Sequence, residues 1–257
     1  MISAQLVFDN KDLREYILSF FYSPDFAAKK GYIFVFIYQI NNYTFMNNIT
    51  KHTIEIAAQY GHLEIIKWLY KNQQLKYTSE LMNIAIRNGH LDVIKWLYKN
   101  RKDGYSSFLL SCAVQSGNLD VVKWIYENIQ INNIEYAINC AASDGYIDII
   151  KYLYDKNKLY NMKNVLTNAV RHNHFSIIKW LHETDDENIF TTDIMNYAAE
   201  FGYLHIVKWL HENRLEGCTV EAMNSAAGSG HLEIVKFLHY NRNEGCTTNA
   251  IDWAASC

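Results

Sequence analysis

Gly61-His62-Leu63-Glu64-Ile65-Ile66-Lys67-Trp68-Leu69-Tyr70 decides the reading of this chain, because variants of it return six more times, opening at Gly89, Gly117, Gly145, Asn173, Gly202 and Gly230. The first step is 28 residues (89 − 61), and every later step is 28 except Asn173 to Gly202, which is 29 (202 − 173). A fixed period of this size marks a stacked array. Each copy is too short to close a core of its own, so neighbouring copies must bury one another's apolar faces, and the expected product is an elongated solenoid.

At helical spacing, Leu63, Ile66, Leu69 and Tyr70 share one face, and Ile65 widens it toward a neighbour. This predicts a helix buried over most of its circumference. Glu64 and Lys67 lie three apart on the remaining surface, as do Asp92 with Lys95, Asp120 with Lys123, Asp148 with Lys151 and Glu233 with Lys236. Pairs of this kind add a few tenths of a kcal/mol. Asn72, Asn100, Asn128, Asn213 and Asn241 are read as left-handed helix ends. The Gly that opens six of the seven copies predicts a turn with positive φ.

A shorter helix precedes each Gly, marked by Ala57-Ala58, Ala85-Ile86, Ala113-Val114, Ala141-Ala142, Ala169-Val170, Ala198-Ala199 and Ala226-Ala227. Small residues let helices approach toward the lower end of the roughly 8–10 Å interaxial range. Each unit is then helix, Gly turn, helix. The pattern Ala-Ala-x-x-Gly-His-Leu-Glu-Ile-Ile-Lys-x-Leu resembles the ankyrin repeat over about residues 51 to 257. The resemblance implies an all-α helical-repeat solenoid of stacked helix-turn-helix units. Two departures matter. The period is about five residues short of the ankyrin value of 33, which predicts short or absent β-turn fingers. The family's Thr-Pro-Leu-His opening is missing, and its His slot falls on Glu55, Asn83, Ser111, Asn139, Thr167, Asn196, Asn224 and Asp252, which are expected to hydrogen-bond backbone between units.

The domain reading is an N-terminal helical cap or degenerate first repeat over 1–50, then an array over 51–257 of seven units and a C-terminal half unit. Gly31 to Tyr38 begins 30 residues before Gly61 (61 − 31) and is the candidate degenerate unit. Its apolar run is too short for a bilayer, which needs about 20 residues. No basic region precedes Asp9, so the start is not a secretory signal. Asp9 to Tyr22 has a second reading as an F-box-like helix that recruits a ligase. At the other end, the helix carrying Ala254-Ala255 either caps the array with Trp253 packed inward or belongs to a truncated array.

A net charge of −3 offers no footprint for nucleic acid or an anionic membrane. The five Cys lack C-x-x-C spacing, and Cys112 with Cys140, like Cys218 with Cys246, stand one period apart, at roughly 10 Å and out of disulfide reach. Reduced thiols and an intracellular, cytoplasmic monomer are the expectation. His62, His90, His174 and His231 fill the slot after the opening residue, and His182, His211 and His239 the slot after the last Leu. One His per unit is too widely spaced for Zn–N bonds of about 2.0–2.1 Å, so these are structural and no metal or other cofactor is expected. The column Trp68, Trp96, Trp124, Tyr152, Trp180, Trp209 and Phe237 reads as core or inter-unit packing. No phosphate-cradling loop, G-x-S-x-G or H-E-x-x-H supports catalysis.

Specificity falls to the positions packing leaves free. Between the small pair and the Gly the copies disagree: Gln59-Tyr60, Arg87-Asn88, Gln115-Ser116, Ser143-Asp144, Arg171-His172, Glu200-Phe201 and Gly228-Ser229. The resemblance places these on a concave groove that contacts partners; as solvated helix ends they would contact nothing. The expected function is a non-catalytic protein-protein interaction scaffold for an unidentified partner protein, bound through that groove. Tyr60, Arg87, Arg171, His172 and Phe201 are the leading contacts, since aromatic residues and Arg dominate hot spots. The alternative is a substrate-receptor adaptor of a ubiquitin ligase, recruited by residues 1–50.

Overall fold

The computed structural model describes residues 23–42, 51–73, 79–100, 108–130, 133–156, 160–184 and 189–256. The chain divides into two compact halves, Met1–Asn132 and Asn133–Cys257. The described residues contain helices and turns and no β-strand, so each half is an all-α helical-repeat solenoid. The candidate ligase-recruiting helix at 9–22 lies outside the described residues.

The N-terminal half holds α1 (Pro24–Lys30), α2 (Ile33–Asn42), α3 (Lys51–Gln59), α4 (Leu63–Gln73), α5 (Ser79–Arg87), α6 (Leu91–Asn100), α7 (Leu109–Gln115) and α8 (Leu119–Asn128). The C-terminal half holds α9 (Ile134–Asp144), α10 (Ile147–Lys156), α11 (Lys163–Arg171), α12 (Phe175–Glu183), α13 (Thr192–Glu200), α14 (Leu204–Asn213), α15 (Val220–Gly228), α16 (Leu232–Asn241) and α17 (Asn249–Ala254). Within each half, first helices of adjacent repeats pack along their length: α1 on α3, α3 on α5 and α5 on α7, then α9 on α11, α11 on α13, α13 on α15 and α15 on α17. The small pairs make this possible, since Ala57, Ala58, Ala85, Ala141, Ala142, Ala198 and Ala199 are fully buried. The segment before Gly61 has the same form: Ala27 and Ala28 are buried, Gly31 has φ 74°, and α1 and α2 flank it.

The turn works as the repeating Gly predicts. In the C-terminal half the Tyr146 N–H donates to Ala141 O at 2.9 Å and the His174 N–H to Ala169 O at 2.8 Å, closing the first helix with a left-handed residue. Gly145 takes φ 81° there, and Asn173, the one copy without Gly, takes φ 63°. The Asn column after the second helix does not adopt this conformation. Instead the Asn72, Asn100, Asn128, Asn213 and Asn241 side-chain amides donate to the carbonyls of Trp68, Trp96, Trp124, Trp209 and Phe237 at 2.8–2.9 Å. A side chain at the last turn thus adds a second donor to a carbonyl just before the four that the helix leaves orphaned.

The second helix is buried on a narrower stripe than its apolar residues imply. Ile65, Ile66 and Leu69 are at most 1% exposed, as are Val93, Ile94 and Leu97, whereas Tyr70 is 41% exposed. Tyr70 is freed because it braces the next repeat: its ring meets Trp96 edge to face at 5.4 Å, and Tyr98 meets Trp124 at 5.2 Å. In the C-terminal half Tyr154 meets Trp180 at 5.6 Å, His182 meets Trp209 at 5.1 Å and His211 meets Phe237 at 5.5 Å. The half-buried Trp column is therefore an inter-repeat ladder, and the His after the last Leu serves in it as a Tyr does.

Two of the predicted surface pairs are Lys67 Nζ with Glu64 at 2.7 Å and Lys236 Nζ with Glu233 at 2.8 Å. Asp92 is one methylene shorter and turns to the helix start, accepting from the Val93 N–H at 2.9 Å. Among the described residues, the expected inter-repeat bonds from the family's His slot form at Asn196 and Asn224. Asn196 accepts from the Thr219 N–H and donates to Thr219 Oγ1, and Asn224 does the same with Thr247, all at 2.9–3.1 Å. Two other slot residues make bonds within their own helix: Glu55 pairs with Lys51 at 3.1 Å and Thr167 Oγ1 donates to Lys163 O at 3.0 Å. Trp253 on α17 is 40% exposed and lies against α15, where a Cβ added to Gly228 would stand 2.9 Å from its Cβ.

Candidate functional site

The residue after each Gly fixes where the variable pair is displayed. His62 Nε2 donates to Lys29 O at 3.0 Å and His90 Nε2 to Gln59 O at 2.8 Å. In the C-terminal half His174 reaches Ser143 O at 2.7 Å, Tyr203 Oη reaches Arg171 O at 3.1 Å and His231 reaches Glu200 O at 3.1 Å. A carbonyl acceptor requires the ring nitrogen to carry the proton, which sets the tautomer. Each bond ties the main chain of one repeat's variable pair to the next repeat, so those side chains stand on a fixed backbone. Asn118 takes the same place with a weaker reach to Gly89 O at 3.5 Å while capping α8 through Asp120 and Val121.

All ten predicted contact residues are exposed: Gln59, Tyr60, Arg87, Asn88 and Gln115 in the N-terminal half, and Asp144, Arg171, His172, Glu200 and Phe201 in the C-terminal half. Their surroundings differ. Arg87 is held by Glu80 of its own helix at 3.7 Å, and the Asn88 amide is spent on Ile84 O at 2.9 Å. Tyr60 lies under Lys29 Nζ, 5.4 Å from its ring centre. Arg171 stacks its guanidinium 4.7 Å over Tyr197 of the next repeat. His172 stacks with His174 at 6.4 Å, and Phe201 with Tyr203 at 6.2 Å.

Repeat comparison alone missed two features. Lys29 and Lys30 follow the Ala27-Ala28 pair and precede Gly31, so they form a further exposed variable pair, legible from the Ala-Ala spacing. The second feature is an open cleft of about 530 Å³ in the C-terminal half, lined by Asn139, Lys163, Asn164, Thr167, Asn168, Arg171, Thr191, Asp193 and Tyr197. Residues 163, 164, 167, 168 and 171 follow the i, i+1, i+4, i+5, i+8 order of one helical stripe, opposite the buried face of α11. That polar stripe was the signal. The surface around Arg171 is thus deeper than the turn pair.

One link also carries unexpected electrostatics. Arg242 donates to Glu244 through Nε at 3.3 Å and Nη2 at 2.5 Å, and this pairing holds the Glu244 carboxyl down at about 2. Arg214 forks onto Glu216 in the same way, and its guanidinium lies 4.2 Å over Phe190. Burial pushes the Cys218 thiol up to about 11, with the Glu244 charge adding to it. A thiol so protonated is a packing group rather than a nucleophile. Among the described residues no group of three or more His, Cys, Asp or Glu could hold a metal ion, and no helix is long and apolar enough to cross a membrane.

Comparison with known families agrees with this geometry. A family model described as ankyrin repeats (3 copies) matches residues 26–107, 54–134 and 109–193, and one described as ankyrin repeats (many copies) matches 195–239. No curated protein matches the chain. Ankyrin repeats are in general protein–protein interaction modules, and no catalytic family is found. With matches running over most of its length, the chain belongs to the ankyrin-repeat family.

Proposed function

We propose that this protein is a monomeric, non-catalytic scaffold that holds a partner protein on the groove side of its repeats, through the variable pairs and the first-helix stripes behind them. The observation that carries this reading is the clamp: a hydrogen bond from the next repeat fixes the backbone of a variable pair while its side chains remain exposed. A surface presented on fixed backbone loses little conformational entropy on binding. Free thiols at Cys112, Cys140, Cys218 and Cys246 fit a reducing, intracellular setting, and the net charge of −3 argues against a nucleic-acid partner.

The test replaces Arg87, Arg171, His172 and Phe201 together by Ala and compares affinity capture by the two full chains. Exposed substitutions each stay within about 0.5 kcal/mol, so the helical signal should persist. Capture of the partner should weaken at least about tenfold, or 1.4 kcal/mol. A partner retained at full strength would remove the groove reading.

A further inference from the structure

We infer that the cleft of the C-terminal half is a seat for an extended acidic peptide, held by Lys163 and Arg171 at the two ends of the α11 stripe. This rests on the groove reading above and names the partner's chemistry. Of the cations on the N-terminal first helices, Lys51 pairs with Glu55 at 3.1 Å and Arg87 with Glu80 at 3.7 Å within their own helices, while Lys29 and Lys30 of α1 lie over the Tyr60 and Phe26 rings. Lys163 and Arg171 are exposed and make no ion pair among the described residues, although Asp193 lines the same cleft. Arg171 is nonetheless oriented, because its guanidinium lies on Tyr197 and its carbonyl accepts from Tyr203 Oη. An oriented guanidinium with no anion on it is prepared for a carboxylate.

Spacing selects the form of the anion. Eight residues of helix separate Lys163 from Arg171, about 12 Å along the axis at 1.5 Å per residue. An extended chain rises about 3.3 Å per residue, so acids four apart are about 13 Å apart and on the same face. Between the two cations stand the amides of Asn164 and Asn168 and, across the cleft, that of Asn139. These side-chain amides make no hydrogen bond among the described residues, and each offers the donor and acceptor a peptide backbone needs. Glu135 and Glu200 on the flanking first helices, and Asp193 in the cleft, disfavour a polyanion with closely spaced charge, which separates a peptide with two acids from a nucleic acid.

The experiment uses the full chain and labelled, capped Gly/Ser peptides carrying two Glu four residues apart, two Glu two apart, two Gln or two Lys. The four-apart Glu peptide should bind saturably, with affinity that falls as salt rises, and at least about tenfold tighter than the Gln peptide. Lys163→Ala with Arg171→Ala should weaken it at least tenfold, Lys95→Ala on the exposed face of a second helix should leave it unchanged, and Asp193→Asn should tighten it. Equal binding of the Glu and Gln peptides, indifference to the double substitution, or preferential binding of oligothymidylate would overturn the assignment. If the Glu peptide fails while the four-residue variant still loses its captured partner, only the acidic-peptide assignment falls. If neither is affected by substitution, the groove reading falls with it.

Discussion

Gly145→Ala tests two demands that the turn makes at once. Gly145 has φ 81°, and a Cβ built on it would stand 2.5 Å from His174 Nδ1. A left-handed conformation costs a residue with Cβ about 1–2 kcal/mol, and the stiffer unfolded chain returns about 0.4–1, leaving about 1 kcal/mol for the backbone. The steric demand adds to this, because the ring must leave its place and lose its 2.7 Å bond to Ser143 O, worth about 0.5–1.5 kcal/mol. The total is about 2 kcal/mol. Gly230 supplies the internal control: its φ is 74° and a Cβ there meets nothing within 4 Å, so Gly230→Ala should cost about 1 kcal/mol. Urea unfolding followed by far-ultraviolet circular dichroism measures both, and a third variant, Gly145→Ala in a His174→Ala background, isolates the ring. In that background the Gly145→Ala cost should fall to the Gly230 value. Equal costs for the two single substitutions, or additivity of Gly145→Ala with His174→Ala, would refute the ring-on-glycine account.

Two further outcomes follow from the packing and the charges. Trp124 is half-buried and meets Tyr98 edge to face at 5.2 Å, so Trp124→Ala should cost about 2–3 kcal/mol, below the 3–5 of a full core truncation, and the exposed Lys95→Ala under about 0.5. Similar unfolding midpoints for those two variants would show the ladder carries no stability. Glu244, lowered from 4.5 to about 2 by Arg242, contributes stability that is full above its ordinary value and is lost as pH falls through about 2. Glu244→Gln should therefore flatten the acid side of the urea-midpoint profile between about pH 4.5 and 2, and a carboxyl titration by NMR that placed Glu244 near 4.5 would remove the cause.

The repeat and its turn were legible because they are written as period. Gly at the turn and Ala in the first helix answer to backbone geometry, which side chains elsewhere cannot replace, so each copy must restate them. Asn173 shows the rule through its exception, being the residue other than Gly that best tolerates positive φ. What period could not show was direction. Trp68 and Tyr70 both look like core residues in a helical count, yet Ile65, Ile66 and Leu69 already fill the core. The aromatic pair is left to reach forward and backward along the array. Likewise, the Asn at the helix ends was placed correctly and given the wrong conformation, since its amide reaches a carbonyl of its own last turn.

The candidate surface divides along the same line. Positions where copies disagree can be found by comparing repeats, and all ten so chosen are exposed. Which of them a partner could use depends on what each side chain already touches. Arg87 and Arg171 occupy equivalent slots and carry the same charge, but a carboxylate of its own helix holds Arg87, whereas a Tyr ring of the following repeat orients Arg171 without neutralising it. An ion pair must be given up before a new anion binds; a ring contact beneath the guanidinium need not be. Equal positions in a repeat array are therefore unequal as binding sites, and the inequality is set by residues earlier on the same helix or one repeat away, where a comparison of turn pairs does not look.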